Sequence, residues 1–314
     1  MNKRDLMLSL LDSQSSPPYV PAAFFLHFPT AFHVGQAAVN KHLEYFHYTD
    51  MDFVKIQYEK PFPPIPSIRR PEDWVSMPRY GRDFFEEQLG VVDGIVKAAK
   101  REALIVVTLY SPFMSAGHTT SDQMLTDHLS QDPEHVRPGL EAITESLLFF
   151  ARECIRLGVD GFYHSTQGGE AGRFPEKTVF EQYVKPYDLV IIEEINRECP
   201  FNILHVCDYL RDYDDFTPFL DYPGDIVNCP LKLGTRTISP REAADLFQRP
   251  YMGGMERKGI LATGTPEQIR RAAETVLEQA PDQFVLAADC TVPNDTPWDN
   301  LKTAIETAHR RKIL

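Results

Sequence analysis

The sequence contains no stretch of about 20 consecutive apolar residues, which is the length that a helix needs to cross a bilayer. The chain begins MNKRD and then enters only a short apolar run, which Asp12 interrupts, so no signal-peptide core is present. These absences exclude a membrane-spanning class of protein at the level of sequence. We therefore expect a cytoplasmic protein that does not associate with a membrane.

Basic residues are also scarce. The sequence has 32 Lys and Arg residues against 45 Asp and Glu residues, which gives a net charge of −13. A nucleic-acid-binding surface needs a basic face, so this balance predicts that nucleic acid is not a partner. A local basic patch is compatible with the same balance, and a small anionic substrate therefore stays open.

Cysteine occurs only five times, at positions 154, 199, 207, 229 and 290. An odd number at uneven spacing is not typical of a disulfide framework. The thiols are therefore available for packing or for chemistry.

Short apolar runs rich in β-forming residues alternate with helical patterns from one end of the chain to the other. Several of these runs are nearly continuous, which is typical of parallel strands buried on both faces. No internal repeat or clear linker interrupts them, so we expect a single domain over residues 1–314. The eight predicted strands are Tyr19–Phe28, Phe53–Tyr58, Ala103–Leu109, Gly161–His164, Asn202–Val206, Asp225–Cys229, Tyr251–Met255 and Phe284–Ala288. This alternation predicts an α/β fold, the (β/α)₈ TIM barrel.

Helix boundaries are also visible. Thr178–Glu181, Ser239–Glu242 and Thr265–Gln268 each match the capping box that begins a helix. Leu140–Leu157 has helical spacing of its apolar residues and stops at Gly158, a residue type that commonly ends helices.

Histidine and cysteine residues fall where predicted strands end. His205 and Cys207 close the fifth strand, and Cys290 follows the eighth. Active sites of such barrels lie at the carboxyl ends of the strands, and this mixture of ligands favours zinc. A single buried cysteine or histidine more often has a packing role, but the three together predict a metal site. A zinc ion with an open position would ionise a substrate thiol, which could then attack an electrophilic methyl group.

Other candidates lie at the same rim. Cys229 is either a further metal ligand or a packing residue that closes the sixth strand before Pro230. His164 is predicted to bind substrate or act as a general acid, with a local hydrogen-bonding role as the alternative. Asp289 is the second candidate catalytic residue. Within the acidic cluster after the fifth strand, only Asp208 is expected to lie near the site.

Four segments carry a family resemblance. Gly259–Leu277 (GILATGTPEQIRRAAETVL) and Phe284–His309 (FVLAADCTVPNDTPWDNLKTAIETAH) resemble the last two strand-and-helix units of the uroporphyrinogen decarboxylase superfamily, and Val54–Phe62 and Phe180–Tyr187 also fit. The resemblance covers nearly the whole chain. It implies a TIM barrel of the uroporphyrinogen decarboxylase type.

Within this superfamily, the chain is most similar to the zinc-dependent branch. Corrinoid-dependent methyltransferases and the cobalamin-independent methionine synthase carry a His-x-Cys at the fifth strand and a Cys at the eighth, which His205, Cys207 and Cys290 match. The resemblance implies a Zn²⁺ cofactor and a small-molecule substrate. The Asp-x-His-x-x-Gly signature of corrinoid-binding domains is missing, so a cobalamin or other corrinoid would arrive on a separate partner protein or bind free at the barrel mouth. Methionine synthase has a Glu where this chain has Asn228-Cys229, which leaves the fourth ligand open.

The decarboxylase itself resembles the chain less well. It grips its substrate's carboxylates with arginines near the N-terminus, whereas this chain has no arginine between Arg4 and Arg69. We therefore predict a zinc-dependent methyltransferase that moves a methyl group between a corrinoid-type carrier and a zinc-activated thiol or similar acceptor. Two alternatives stay open. One is a metal-free decarboxylase of a tetrapyrrole or smaller acid, and the other is a non-catalytic barrel that handles metal or corrinoid through a site saturated by protein ligands.

Overall fold

Seven parallel strands form a curled sheet at the centre of the computed structural model, which describes residues 2–15 and 17–311. The order in the sheet is β1-β2-β3-β4-β5-β8-β9, and a small antiparallel pair, β6 and β7, lies apart from it. The strands are β1 (Phe53–Ile56), β2 (Leu104–Tyr110), β3 (Gly161–Thr166), β4 (Ile203–Val206), β5 (Ile226–Asn228), β6 (Lys232–Leu233), β7 (Arg236–Thr237), β8 (Tyr251–Met255) and β9 (Phe284–Ala288).

Helices lie between the strands in sequence, as a barrel with parallel strands requires. They are α1 (Lys3–Ser9), α2 (Gly35–Thr49), α3 (Arg82–Ala99), α4 (Pro112–Thr119), α5 (Asp122–Gln131), α6 (Pro133–Leu157), α7 (Lys177–Tyr183), α8 (Lys185–Glu198), α9 (Pro240–Phe247), α10 (Ile260–Thr263), α11 (Pro266–Glu278) and α12 (Trp298–Arg310). Strands β1, β3, β4, β5 and β9 are buried along their whole length because the helices cover one face and the barrel interior the other. The predicted α/β barrel is confirmed.

One predicted strand, Tyr19–Phe28, is not a regular strand. The segment is extended and lies between β9 and β1, where Ala22 makes a single parallel bridge to Leu286. The amide of Ala23 donates to the carbonyl oxygen of Leu286 at 3.0 Å, and the amide of Asp52 donates to that of Ala22 at 3.0 Å. The prolines at positions 17, 18 and 21 have no N–H to donate, and Pro21 takes part as an acceptor, from the amide of Leu286 at 2.9 Å. The segment therefore closes the barrel with few hydrogen bonds.

Two of the three predicted capping boxes are confirmed. Ser239 caps α9 and Thr265 caps α11, each with the reciprocal side-chain bond from the third helical residue. The box at Thr178 is wrong, because α7 begins at Lys177 after Glu176 and Thr178 lies inside it. The predicted helix end at Gly158 is confirmed: its φ of +95° is a left-handed conformation that glycine adopts without strain.

Among residues 2–15 and 17–311, no helix combines the length and the apolar character that a bilayer span requires.

A buried carboxyl group between helix α8 and strand β3 makes the stability of the protein depend on pH. Oδ2 of Asp188 on α8 accepts hydrogen bonds from the hydroxyls of Thr166 and Tyr222, while Oδ1 has no partner in the described part of the chain. Burial raises the pKa of Asp188 to about 7, and the two hydrogen bonds oppose that rise. The unfolded chain binds this proton only below about pH 4. The folded state therefore holds more protons between about pH 4 and 7, and its stability falls as pH rises through that window.

We expect Asp188→Asn to remove this contribution. The variant should gain about 1–3 kcal/mol of unfolding free energy over the wild type at pH 8, and the difference should shrink towards pH 4. Urea unfolding at several pH values measures it, with the exposed Asp282→Asn as the control. Identical pH slopes for the wild type and Asp188→Asn would contradict the assignment.

Candidate metal centre

The carboxyl ends of the sheet strands open into a cavity of about 830 Å³. This is the end of the barrel at which TIM-barrel enzymes hold their substrates. The strands and the loops directly after them contribute Lys55, Gln57, Thr108, Tyr110, Tyr163, Ser165, Gln167, His205, Cys207, Arg257 and Cys290 to its lining.

Three of these residues meet as the sequence predicts. One ligand atom from each of His205, Cys207 and Cys290 lies within 4.8 Å of the other two. His205 and Cys207 are buried, and Cys290 is partly exposed. Two strands on different parts of the sheet, β4 and β9, deliver them to one point.

The His205 ring is oriented by its surroundings. Nδ1 lies 3.3 Å from the carbonyl oxygen of Asn228, which only accepts, so Nδ1–H is the donor. In the neutral ring this leaves a lone pair on Nε2, which is buried and has no hydrogen-bond partner among the residues that the structure describes. The ring packs on Tyr163 with centroids 4.8 Å apart. A histidine held through one nitrogen with its other nitrogen unpaired is the arrangement that metal ligation requires.

Cys207 is held just as firmly. Its amide donates to the carbonyl oxygen of Thr166 at 3.0 Å, and the hydroxyl of Tyr213 donates to its carbonyl oxygen at 3.2 Å. The side-chain amide of Gln167 donates to its Sγ at 3.6 Å. The backbone contacts fix where the sulfur lies, and the amide contact favours its ionised form.

The two sulfurs influence each other. A proton shared between the thiols lowers the pKa of Cys290 well below its usual value, and the positive charge of Arg257 acts in the same direction. The same contact, together with burial, raises the pKa of Cys207. One thiol of the pair therefore ionises readily, which is the state in which cysteine binds metals.

The donor set fits zinc. One imidazole nitrogen and two sulfurs are ligands that Zn²⁺ binds in proteins, and three protein ligands leave a fourth tetrahedral position for a substrate. The unpaired, buried Nε2 of His205 is the structural observation that supports this fit.

Cys229 does not join the cluster. It is buried directly after β5 and is neither among the three grouped ligands nor in the cavity lining. The preceding residue, Asn228, faces inward, where its amide donates to the carbonyl oxygens of Met252 and Ala288 at 2.7 Å and 3.1 Å. Because side chains alternate along a strand, Cys229 faces away from the site. This geometry does not bring Cys229 to the three grouped ligands, and its role as a metal ligand stays a prediction.

His164 is also outside the cavity, for the same reason. Its neighbours Tyr163 and Ser165 line the cavity, and His164 on the opposite face of β3 does not. Its side chain is fully buried, and within residues 2–15 and 17–311 neither ring nitrogen has a hydrogen-bond partner. Burial lowers its pKa to about 3. The predicted catalytic role of His164 is therefore not supported by this geometry.

Asp289 lies in an ion-pair cluster beside the site. Its Oδ2 is 3.0 Å from Nη1 of Arg257, which also lies 2.8 Å from Oδ1 of Asp208. Burial raises the pKa of Asp289 to about 6, against the opposing charge of Arg257. Asp289 is not in the cavity lining, so it is placed to support the site rather than to contact substrate. The expectation that Asp208 lies near the site agrees with this geometry.

Sequence reasoning missed Lys55 and Arg257. Lys55 lies on β1 with its ammonium group inside the cavity, where it donates to the side chains of Gln57 (2.8 Å) and Thr108 (2.9 Å). Burial lowers its pKa to about 7. The signal that could have revealed it is a lysine within the buried strand Phe53–Ile56. Arg257 is the second residue after β8, and its position in the sequence alone does not distinguish it from other charged loop residues.

Two similar proteins are named as methyltransferases. A methylated-thiol–coenzyme M methyltransferase of Methanosarcina mazei is 23% identical over 268 residues, which cover 82% of this chain and 68% of that protein. The methylcobamide:CoM methyltransferase MtbA of the same organism is 22% identical over 253 residues, which cover 77% of this chain and 69% of that protein.

Solved structures show the same fold. A methyltransferase from Methanosarcina mazei superposes with a TM-score of 0.72 at 14% identity, covering 98% of each chain. A B12-independent methionine synthase from Shewanella superposes with a TM-score of 0.53 at 11% identity, covering 93% of this chain and 97% of that one.

The family comparison covers most of the sequence. The uroporphyrinogen decarboxylase (URO-D) family matches residues 50–311, which include every strand of the sheet and all three clustered ligands. The resemblance seen in the sequence is thereby confirmed, and the chain belongs to the uroporphyrinogen decarboxylase (URO-D) family.

Proposed function

We propose that this protein is a zinc-dependent methyltransferase that moves a methyl group between a corrinoid-type carrier and a thiol or similar acceptor. The observation that carries the proposal is the cluster of His205, Cys207 and Cys290 at the inner end of a large cavity. The names of the two relatives, which include a methylated thiol, methylcobamide and coenzyme M, support the same chemistry.

His205, Cys207 and Cys290 would hold the zinc ion. Zn²⁺ supplies a Lewis acid that favours the ionised form of a thiol at neutral pH. In the neutral ring, the hydrogen bond from His205 to Asn228 selects the tautomer with the lone pair on Nε2, and the Gln167 amide donates to the sulfur of Cys207. These residues prepare the donors before a ligand arrives.

The rest of the cavity would orient the acceptor and exclude water. Lys55 places its amino group near the two cysteines, between the faces of Phe25 and Tyr163 at 4.8 Å and 4.6 Å, and with a pKa of about 7 it is partly protonated at neutral pH. A cation in this apolar setting acts strongly because little solvent screens it. It would favour thiolate over thiol at the reacting sulfur.

The methyl carrier would reach the site through the cavity mouth. A volume of about 830 Å³ exceeds what a small thiol fills. The mouth includes Tyr209 and Leu210, whose side chains are exposed. We propose that the corrinoid is carried by a partner protein or binds free at this mouth.

We further propose that residues 1–314 act as one domain and that the protein works in the cytoplasm. The seven-stranded sheet and the extended segment at Ala22, which bridges to Leu286 of β9, together form one barrel, and this supports a single domain. The five cysteines are free, and a site of two closely spaced thiols needs a reducing compartment.

The function is tested by incubating the protein with methylcobalamin and a panel of thiols, and following loss of the methyl–cobalt absorbance together with formation of the methyl thioether. In the reaction the methyl group bonds to the thiolate sulfur, and the electron pair of the methyl–cobalt bond stays on cobalt. We expect turnover that a chelator abolishes and added Zn²⁺ restores. Turnover that survives full chelation would contradict the zinc dependence.

The same preparations separate the alternatives. Release of CO₂ from a tetrapyrrole or smaller acid, unaffected by chelation, would indicate the decarboxylase. A tightly bound zinc ion without any methyl transfer would indicate the non-catalytic barrel. The non-catalytic barrel requires that protein ligands fill every position of the zinc ion. Among the described residues, three donors are grouped, which leaves one position open.

A further inference from the structure

The two cysteines of the cluster come from strands that are not neighbours. Cys207 follows β4 and Cys290 follows β9, with β5 and β8 between them in the sheet. Three interstrand steps span about 14 Å along a sheet. The sulfurs nonetheless share a group whose ligand atoms lie within 4.8 Å of one another. Because the sheet curls into a barrel, the side chains at these strand ends converge, and the spacing of the two sulfurs depends on how the loops that carry them are held.

Arg257 makes that contact. Its Nη1 lies 2.8 Å from Oδ1 of Asp208, the residue after Cys207, and 3.0 Å from Oδ2 of Asp289, the residue before Cys290. Its backbone amide donates to Oδ1 of Asp289 at 2.9 Å. Arg257 itself follows β8, which lies between the strands that carry the two cysteines. One nitrogen atom thus links both cysteine-bearing loops.

The burial of this triad gives the link its strength. Arg257 is 8% exposed, and the side chains of Asp208 and Asp289 are 15% and 17% exposed. Removing the cation from such a site leaves two carboxylates close together without a counter-charge, and they would repel each other. The loops that carry them would then separate, and the cysteines would move with them.

The triad is not an anion-binding site. One guanidinium already serves two carboxylates, so the group has no surplus positive charge to offer an anionic ligand. Its geometry fits a structural role towards its neighbours in the chain.

We propose that Arg257 is a positioning residue that holds Cys207 and Cys290 at the spacing required for metal binding. The inference rests on the proposed function in that the ligand is a metal ion. It adds a residue that is not among the three grouped ligands and acts on them through Asp208 and Asp289.

The test measures zinc affinity by competition with a chromophoric chelator, using the full chain stripped of metal and reloaded. Arg257→Met should weaken Zn²⁺ binding by about 10- to 100-fold, as expected when a partner of metal ligands is lost. Loading with Co²⁺ should show weaker thiolate-to-cobalt charge-transfer absorbance than in the wild type. Arg257→Lys should restore part of the affinity, because an ammonium group can also donate to two carboxylates but lacks the planar fork.

Arg249→Met is the matched control. Arg249 is also partly buried, and its Nη1 donates to the carbonyl oxygens of Tyr222 and Gly224 at 3.0 Å and 2.9 Å, away from the cavity lining. This variant should lose stability but keep the wild-type zinc affinity.

The outcomes separate the two proposals. Wild-type affinity in Arg257→Met would overturn the positioning role and leave the proposed function intact. A wild-type protein that binds no zinc would overturn both. If Arg257→Met does not fold, the Arg257→Lys variant decides. Wild-type zinc affinity and wild-type Co²⁺ absorbance in Arg257→Lys would mean that any positive charge between Asp208 and Asp289 is sufficient. That result would overturn the proposal that the guanidinium group sets the spacing of the two cysteines.

Discussion

Cys290→Ser is expected to lower the rate of methyl transfer by about 10²–10⁴-fold, because losing Lewis-acid assistance removes several kcal/mol of stabilisation from the transition state. A serine hydroxyl stays protonated at neutral pH and cannot replace a thiolate ligand. Cys207→Ser should have a similar effect, since both sulfurs belong to the same group of ligands. The assay is the methylcobalamin reaction at saturating thiol.

Cys229→Ser is the matched control for this prediction. Cys229 follows a sheet strand as Cys207 and Cys290 do, and it is buried, but it lies outside the cluster. The exchange should cost some stability and leave the rate per folded molecule unchanged. Equal losses in all three variants would mean that the rate reports folding, and an active Cys290→Ser variant would refute its role as a ligand.

Lys55→Met is expected to make the protein more stable and less active. The wild-type ammonium group is buried among Gln57, Thr108 and two aromatic rings, and no acidic side chain pairs with it within the described residues. Replacing it with an apolar chain of similar length should raise the unfolding free energy by about 1–3 kcal/mol at pH 7. Methyl transfer should fall about 10- to 100-fold, because the cation that favours thiolate is lost.

The pH dependence of this difference follows from the lysine pKa. The unfolded chain binds the Lys55 proton below about pH 10.4, whereas the folded state, in which burial lowers the pKa to about 7, binds it only below that value. Between these values the unfolded state holds more protons, so wild-type stability rises with pH. The advantage of Lys55→Met in metal-stripped protein should therefore be fully present below about pH 7 and shrink as pH rises towards 10.

Chemical unfolding and the methyl-transfer assay measure the two effects separately. Lys60→Met is the control, because Lys60 lies outside the cavity lining and pairs at the surface with Glu87. It should change neither property by much. A Lys55→Met variant that is less stable and fully active would show that the lysine is a structural residue.

Much of the barrel could be predicted from the sequence because its signals are local. Seven of the eight predicted strands belong to the sheet, since continuous apolar runs such as Phe284–Ala288 need burial on both faces. Tyr19–Phe28 has the same apolar character, but its backbone bonds at scattered residues between Pro21 and Phe25 and bridges to the sheet at Ala22. Whether an apolar segment forms a ladder depends on partners far away in the chain, which composition does not show.

Two properties in the sequence predict the candidate site: a residue type that can bind metal, and a position at the end of a predicted strand. His205, Cys207 and Cys290 follow from those two properties. Cys229 and His164 share them but face away from the cavity, because strand alternation depends on a one-residue register that apolar runs do not reveal.

Charged residues beside the site were harder still to find. Lys55 lies in a run that otherwise reads as apolar, and Arg257 matters only because Asp208 and Asp289 meet it in space. Such interactions join positions that are far apart in the chain, so sequence spacing does not predict them.

The most direct test of the account is the zinc content of protein purified without a His-tag, compared among the wild type, Cys207→Ser, Cys290→Ser and Cys229→Ser. The account predicts about one zinc ion per chain in the wild type and in Cys229→Ser, with loss of zinc in the other two variants. Zinc-free wild-type protein, or zinc retained in both Cys207→Ser and Cys290→Ser, would contradict it.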